Sequence, residues 1–163
     1  MAKKSLTALE VLTMAIGKEK ESASLYKKLA SRVKNPVIRK RLLSLSKEEA
    51  EHEKVLAGIY ERESGEKVSK KKSASKPNPA IDLEKAKITE IIEYAIKKEK
   101  EAFRFYRNYA KLIKDQSGRF MFEYLSTFEK GHQVLLEEEL KILKRYPKWA
   151  ENEDFSGLIH VGP

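Results

Sequence analysis

The 163-residue chain contains no cysteine. That absence excludes a disulfide framework, a thiolate zinc ribbon and any iron centre held by cysteine sulfur. Long apolar runs are also missing: no stretch approaches the roughly 18 uninterrupted apolar residues that a membrane-spanning helix needs. The opening residues, MAKKSLTALEVLTMAIGKEK, offer neither a continuous apolar segment nor a small-residue cleavage site. A cytoplasmic location without membrane association is therefore expected. The length suits one domain able to bury a core without staples.

Charge is plentiful but uneven. With 34 basic and 25 acidic residues the formal net charge is +9. Much of the excess falls in Lys67 to Lys76, KVSKKKSASK, a serine-rich stretch followed by Pro77 and Pro79. Such a composition cannot bury a core and describes a solvated connection. Clustered lysines also suit phosphate contacts by counterion release, but no aromatic residue is interleaved to stack on a base. Nucleic acid is accordingly not the expected partner.

The most informative feature is an internal repeat with a constant offset of 80 residues. The segment AIGKEKESASLYKKLA (15–30) aligns with AIKKEKEAFRFYRNYA (95–110), and LSKEEAEH (45–52) aligns with LSTFEKGH (125–132), without a gap. Glu19, Glu49 and His52 in the first half thus correspond to Glu99, Glu129 and His132 in the second.

Apolar residues recur at steps of three and four in four long stretches, each the stripe of an amphipathic helix. The first contains Leu9, Leu12, Ile16, Glu19, Ala23, Tyr26, Ala30 and Val33. The second contains Ile38, Leu42, Leu45, Glu49, His52, Leu56 and Ile59. In the third are Ile92, Ile96, Glu99, Phe103, Tyr106, Ala110 and Ile113, and in the fourth Phe122, Leu125, Glu129, His132, Leu136 and Leu143. Asn35-Pro36 has the form of a cap and first helical residue, and Asp115 to Gly118 makes the corresponding break in the second half. Two antiparallel helix hairpins follow. The connection from about Ser64 to Pro79 could span roughly 50 Å extended, more than a 30-residue helix of about 45 Å. The expected fold is an all-α, ferritin-like four-helix bundle over residues 1–146, its hairpins joined by a long crossover (about 64–79) that makes the second and third helices parallel. Residues 147–163, with Trp149, Phe155, Leu158 and Ile159, form a tail expected to dock on the bundle or on a partner subunit.

Hydrophobic packing does not explain a glutamate in the middle of every core stripe. A buried ionised carboxylate must be paired, protonated or metal-bound. No lysine or arginine occupies these stripes, although Lys20 and Lys100 lie near on the helix surfaces. Four carboxylates neutralise two divalent cations. Glutamate and histidine at i and i+3 share one helix face, so Glu49/His52 and Glu129/His132 can each present an oxygen and a nitrogen to one ion. A single glutamate from each of two helices with a Glu-x-x-His from each of the others is the ligand pattern of di-iron and di-manganese bundles. Mixed carboxylate and imidazole donors suit iron or manganese, and zinc could also occupy such a site. His160 has no glutamate three positions before it and is expected to be an ordinary surface residue.

On these residues, together with a tyrosine seven positions after Glu19 and after Glu99, the chain resembles the rubrerythrin branch of the ferritin-like di-iron superfamily from about Leu6 to Tyr146. The resemblance implies two iron ions per bundle, with Glu49 and Glu129 as bridging carboxylates, Glu19 and Glu99 as terminal ones, and His52 and His132 as nitrogen ligands. It makes Tyr26 and Tyr106 candidate catalytic-site residues whose hydroxyls orient ligand carboxylates; as residues alone they are equally ordinary core aromatics. The implied function is a non-haem di-iron oxidoreductase that reduces hydrogen peroxide or activates dioxygen. Ferroxidase or iron handling, and a metal-stabilised helical binding module, are the alternatives. Two departures stand out. The additional carboxylate that rubrerythrins carry one turn after the third helix's terminal glutamate is Ala102 here, with Ser22 as its repeat mate, and a rubredoxin domain is not expected in a sequence without cysteine. Electrons would then come from a separate donor protein such as a rubredoxin. The resemblance also implies a homodimer.

Overall fold

The computed structural model describes residues 6–68, 81, 82 and 85–148. Among them are four α-helices and no strand: α1 (Ala8–Arg32), α2 (Pro36–Ser64), α3 (Ile88–Tyr109) and α4 (Gln116–Arg145), with a 3-10 turn at Ala110–Leu112 between α3 and α4. None of these helices is long and apolar enough to cross a membrane. The connection from α2 to α3 runs from Gly65 to Lys87, and residues 69–80, 83 and 84 lie outside the described residues. So do most of the lysine-rich stretch, the tail from Trp149 onward and His160.

Local chemistry fixes where the helices begin. Thr7 and Glu10 form a reciprocal cap on α1: the Glu10 N–H donates to the Thr7 hydroxyl at 3.2 Å and the Thr7 N–H to the Glu10 carboxylate at 2.8 Å. Asn35, fully buried, accepts from the N–H groups of Val37 and Ile38 at 3.0 and 3.2 Å, and Pro36 fills the first helical position, where an N–H has no intrahelical partner. Asp115, the repeat mate of Asn35, starts α4 in the same way by accepting from the Gly118 N–H at 2.6 Å. At the far end of α2, Gly65 adopts φ +73°, the left-handed conformation that lets its N–H reach the Glu61 carbonyl at 2.9 Å and close the helix.

Cross-helix contacts set the directions. Tyr26 meets Glu99 while Tyr106 meets Glu19, so α1 and α3 are antiparallel. Arg41 meets Glu139 and Glu48 meets His132, so α2 and α4 are antiparallel. The short turn at Val33–Asn35 makes α1 and α2 a hairpin, and these two pack most extensively, as do α3 and α4. It follows that α2 and α3 run parallel. The expected ferritin-like bundle, with a crossover between its hairpins, is the observed topology.

The buried residues separate into two apolar clusters. One gathers Leu12, Ile16, Leu56, Ile59, Tyr106 and Phe122; the other gathers Tyr26, Leu29, Ile38, Leu42, Ile92 and Leu136. The stripes of α2 and α4 are buried as their spacing predicts. In α3 the burial is shifted: Phe103 is half-buried, while Ile91, Ala95, Ala102 and Phe105 are buried. A helix packed against two neighbours needs a wider apolar face than one stripe supplies. Glu139, three residues after Leu136 and four before Leu143, is a second buried carboxylate on the α4 stripe that the spacing did not single out, and an ion pair from Arg41 ties it across α2 and α4.

Replacing Asn35 by alanine leaves the Val37 and Ile38 N–H groups, the latter buried, without their cap. Asn35→Ala should lower stability by about 1–2 kcal/mol in urea unfolding, with Asn35→Ser recovering most of the loss. Identical midpoints for Asn35→Ala and the unaltered protein would refute the capping role.

Candidate metal centre

Between the two apolar clusters lies a polar layer to which every helix contributes. Glu19 comes from α1, Glu49 and His52 from α2, Glu99 from α3, and Glu129 and His132 from α4, and all six are buried. They form two overlapping sets, Glu19/Glu49/His52/Glu129 and Glu49/Glu99/Glu129/His132, in each of which one potential ligand atom per residue lies within 4.8 Å of all the others. Glu49 and Glu129 belong to both sets. The spacing of three within α2 puts the His52 Nδ1 3.1 Å from the Glu49 Oε2, and that nitrogen is also 3.5 Å from Glu19 and 4.0 Å from Glu129. In the other set the His132 Nδ1 lies 3.1 Å from the Glu49 Oε1 and 3.7 Å from Glu99.

Both tyrosine hydroxyls donate to carboxylates of this layer, and each crosses to the other half of the repeat: Tyr26 to Glu99, Tyr106 to Glu19. Both tyrosines are fully buried, and their hydroxyls end on carboxylates of the layer. Burial, followed by the nearby charge of Glu19, raises the Tyr106 hydroxyl well above its ordinary value, so it stays protonated and remains a donor.

Electrostatics in the metal-free layer are those of crowded acids. Burial pushes Glu19 up to about 8, with Glu49 adding repulsion and His52 opposing it. Burial and the charges of Glu49, Glu19 and Glu99 drive Glu129 well above the carboxylate range. Glu49 would also be raised by burial, but the close imidazoles of His132 and His52 hold it at about 2. Burial alone would lower the histidines, yet the carboxylates around them raise His52 to about 9 and His132 to about 11. Protons are thus the positive charge of this layer when no cation is present.

The donor set fits a divalent transition metal. Glu49 Oε1, Glu99 Oε2, Glu129 Oε1 and His132 Nδ1 are buried and make no hydrogen bond. The 3.1 Å approach of His132 to Glu49 is an ion-pair distance without hydrogen-bond geometry. These orphaned atoms belong to the two four-residue sets, and buried polar atoms without partners are expensive unless an ion satisfies them. Oxygen-rich donors with one imidazole per set and no sulfur match iron or manganese.

Three neighbours complete the description. Ala102, at the position of the extra rubrerythrin carboxylate, sits in an apolar cluster, and Glu101 faces Lys98 at 3.5 Å on the surface and does not replace it. Lys100 likewise points outward, to Glu137 at 3.1 Å. Two contacts escaped sequence reasoning. The Glu48 Oε2 lies 3.2 Å from the His132 Nε2, and the Phe128 ring packs nearly perpendicular to His52 with centroids 5.4 Å apart. Their positions immediately before Glu49 and Glu129 were the available signal, but only the α2–α4 packing pairs each with the histidine of the opposite half.

Two measurements check this site. Glu129→Ala, which removes a member of both sets, should bind at least one fewer ion per chain than the exposed control Glu123→Ala; equal retention would dismiss the shared role. Because His52 and His132 carry protons at pH 7 without metal, loading should release protons, and apparent affinity should rise with pH and fall with acid. An indicator-dye titration in weak buffer reads this directly, and metal uptake without proton release would contradict the assignment.

The family model of rubrerythrin matches residues 10–150. Among solved structures, a hypothetical protein from Pyrococcus furiosus is similar at 29% identity and a TM-score of 0.73, over 90% of this chain and 94% of that one. No curated protein matches. With the two Glu-x-x-His pairs, the shared carboxylates and the family match over nearly the whole bundle, the chain belongs to the rubrerythrin family.

Proposed function

We propose that the protein is a non-haem di-iron oxidoreductase that reduces hydrogen peroxide, or activates dioxygen, with electrons from a separate donor protein. The observation that carries this reading is the pair of overlapping ligand sets sharing Glu49 and Glu129. Two sites with common carboxylates hold two ions as neighbours, which is what a two-electron O–O cleavage requires of a metal centre. Glu19, Glu49, His52 and Glu129 would hold one ion and Glu49, Glu99, Glu129 and His132 the other.

When bound, two irons would supply the electrons for H2O2 + 2e⁻ + 2H⁺ → 2H2O, to be restored by the external donor. The chain's own contribution is positional. Tyr26 and Tyr106 fix the outer oxygens of Glu99 and Glu19 across the bundle, so these carboxylates keep one orientation. The apolar clusters on both sides exclude water and strengthen every charge interaction within the layer. A cytoplasmic homodimer that receives its electrons from a rubredoxin-like partner completes the proposal.

The decisive test is anaerobic ferrous loading with metal counting, followed by one equivalent of peroxide per pair of irons and an optical record of oxidation. Two irons per chain, oxidised together and reducible again by a one-electron donor, are expected. Fewer than two irons, or no oxidation, would overturn the reading in favour of a metal-stabilised binding module. Iron accumulation far beyond two per chain would overturn it in favour of iron handling.

A further inference from the structure

The repeat makes an internal control possible, because each residue around one histidine has a mate 80 positions away around the other. The six candidate ligands and both tyrosines are identical between the halves. Their immediate surroundings are not. On the His132 side, the Ser44 hydroxyl donates to the Glu48 Oε1 at 3.0 Å, and the Glu48 Oε2 faces the His132 Nε2 at 3.2 Å. The mates of Ser44 and Glu48 are Tyr124 and Phe128. On the His52 side these form an aromatic stack: Tyr124 lies 4.6 Å from Phe128, and Phe128 lies 5.4 Å from His52, by ring centroids. The stack continues to Phe120, which is 65% exposed. Phe128 also meets His132 edge-on at 6.3 Å, so the aromatic arm touches both histidines, whereas the polar arm reaches His132 alone.

The two arms act differently on a ligand. A carboxylate at Nε2 fixes the imidazole tautomer with its hydrogen outward, leaves the Nδ1 lone pair aimed at the carboxylate layer, and raises its basicity. It also adds a negative charge behind one position alone. A phenyl ring restrains the His52 plane by shape but has no lone pair to accept a proton. Among the described residues, no oxygen accepts from the His52 Nε2; the carboxylates of Glu19, Glu49 and Glu129 all face its Nδ1.

We propose that the two metal positions are inequivalent and that Glu48 is the positioning residue that makes the Glu99/His132 position the tighter one. This inference rests on the reading of the layer as a two-metal site, and it adds the order of filling. The first divalent ion takes the position backed by Glu48, and the second completes the site beside His52 and Phe128.

The test uses the full metal-free chain, zinc as the probe, and nitrogen-15 histidine spectra with calorimetry. The chain has only three histidines, so the spectrum is readily assigned. The first equivalent of zinc should move the His132 resonances and the second those of His52, in two binding steps at least about tenfold apart. Glu48→Gln should weaken the first step by about 10- to 100-fold and abolish the order of filling, whereas Glu48→Asp should preserve the order. Thermal melts of each metal-free variant verify folding. Simultaneous response of both histidines in the unaltered chain, filling of the His52 position first, or equal weakening of both steps by Glu48→Gln would overturn the inequivalence. Zinc that moves neither histidine is a separate result, and it would overturn the metal-site reading itself.

Discussion

Four carboxylates brought into one buried layer repel one another, and the rest of the structure is arranged around that repulsion. Each helix contributes one glutamate, so the charges cannot be dispersed without separating the helices. Apolar clusters close the layer on both sides and keep the effective dielectric low, which magnifies the cost of unbalanced charge. In the metal-free protein that charge is offset by protons on Glu19 and Glu129 and on both histidines. Divalent cations are the alternative, and they also satisfy the buried oxygens that hydrogen bonds leave over. Metal binding and proton binding are thus two solutions to one electrostatic problem.

Duplication supplied the geometry that solves it. Related hairpins packed about an approximate two-fold relation put Glu49 and Glu129 between the two histidines, and neither half could build either ligand set alone. The tyrosines express the same dependence, since each hydroxyl reaches the glutamate of the other half. Where the halves have diverged, at Glu48 against Phe128 and at Ser44 against Tyr124, the change lies one layer outside the ligands. Sequence drift there alters the environment of each position without dismantling the site.

Much of this architecture was legible in the residues. Helical spacing identified four stripes, Asn35-Pro36 and Asp115 marked the turns, and a glutamate inside each stripe signalled a polar layer. The α3 face was less legible, because Ala102 and Phe105 are buried against neighbours that a one-dimensional stripe does not contain. Glu139 fills the step between Leu136 and Leu143 on the α4 stripe, but its ion-pair partner Arg41 is 98 positions away on another helix, out of reach of any local pattern.

The sequence by itself determined which side chains could be ligands, because a charged residue in an apolar stripe needs an explanation whatever the fold, and an exact repeat of Glu, Glu and His has few others. It also determined the hairpins, since caps and turns act within a few residues. Tertiary structure alone decided which half each group serves. The cross-bundle tyrosine bonds, the sharing of Glu49 and Glu129, and the pairing of Glu48 with His132 and Phe128 with His52 all arise from helix packing. Periodicity specifies the face a side chain occupies, but only the docking of one face on another specifies what it meets.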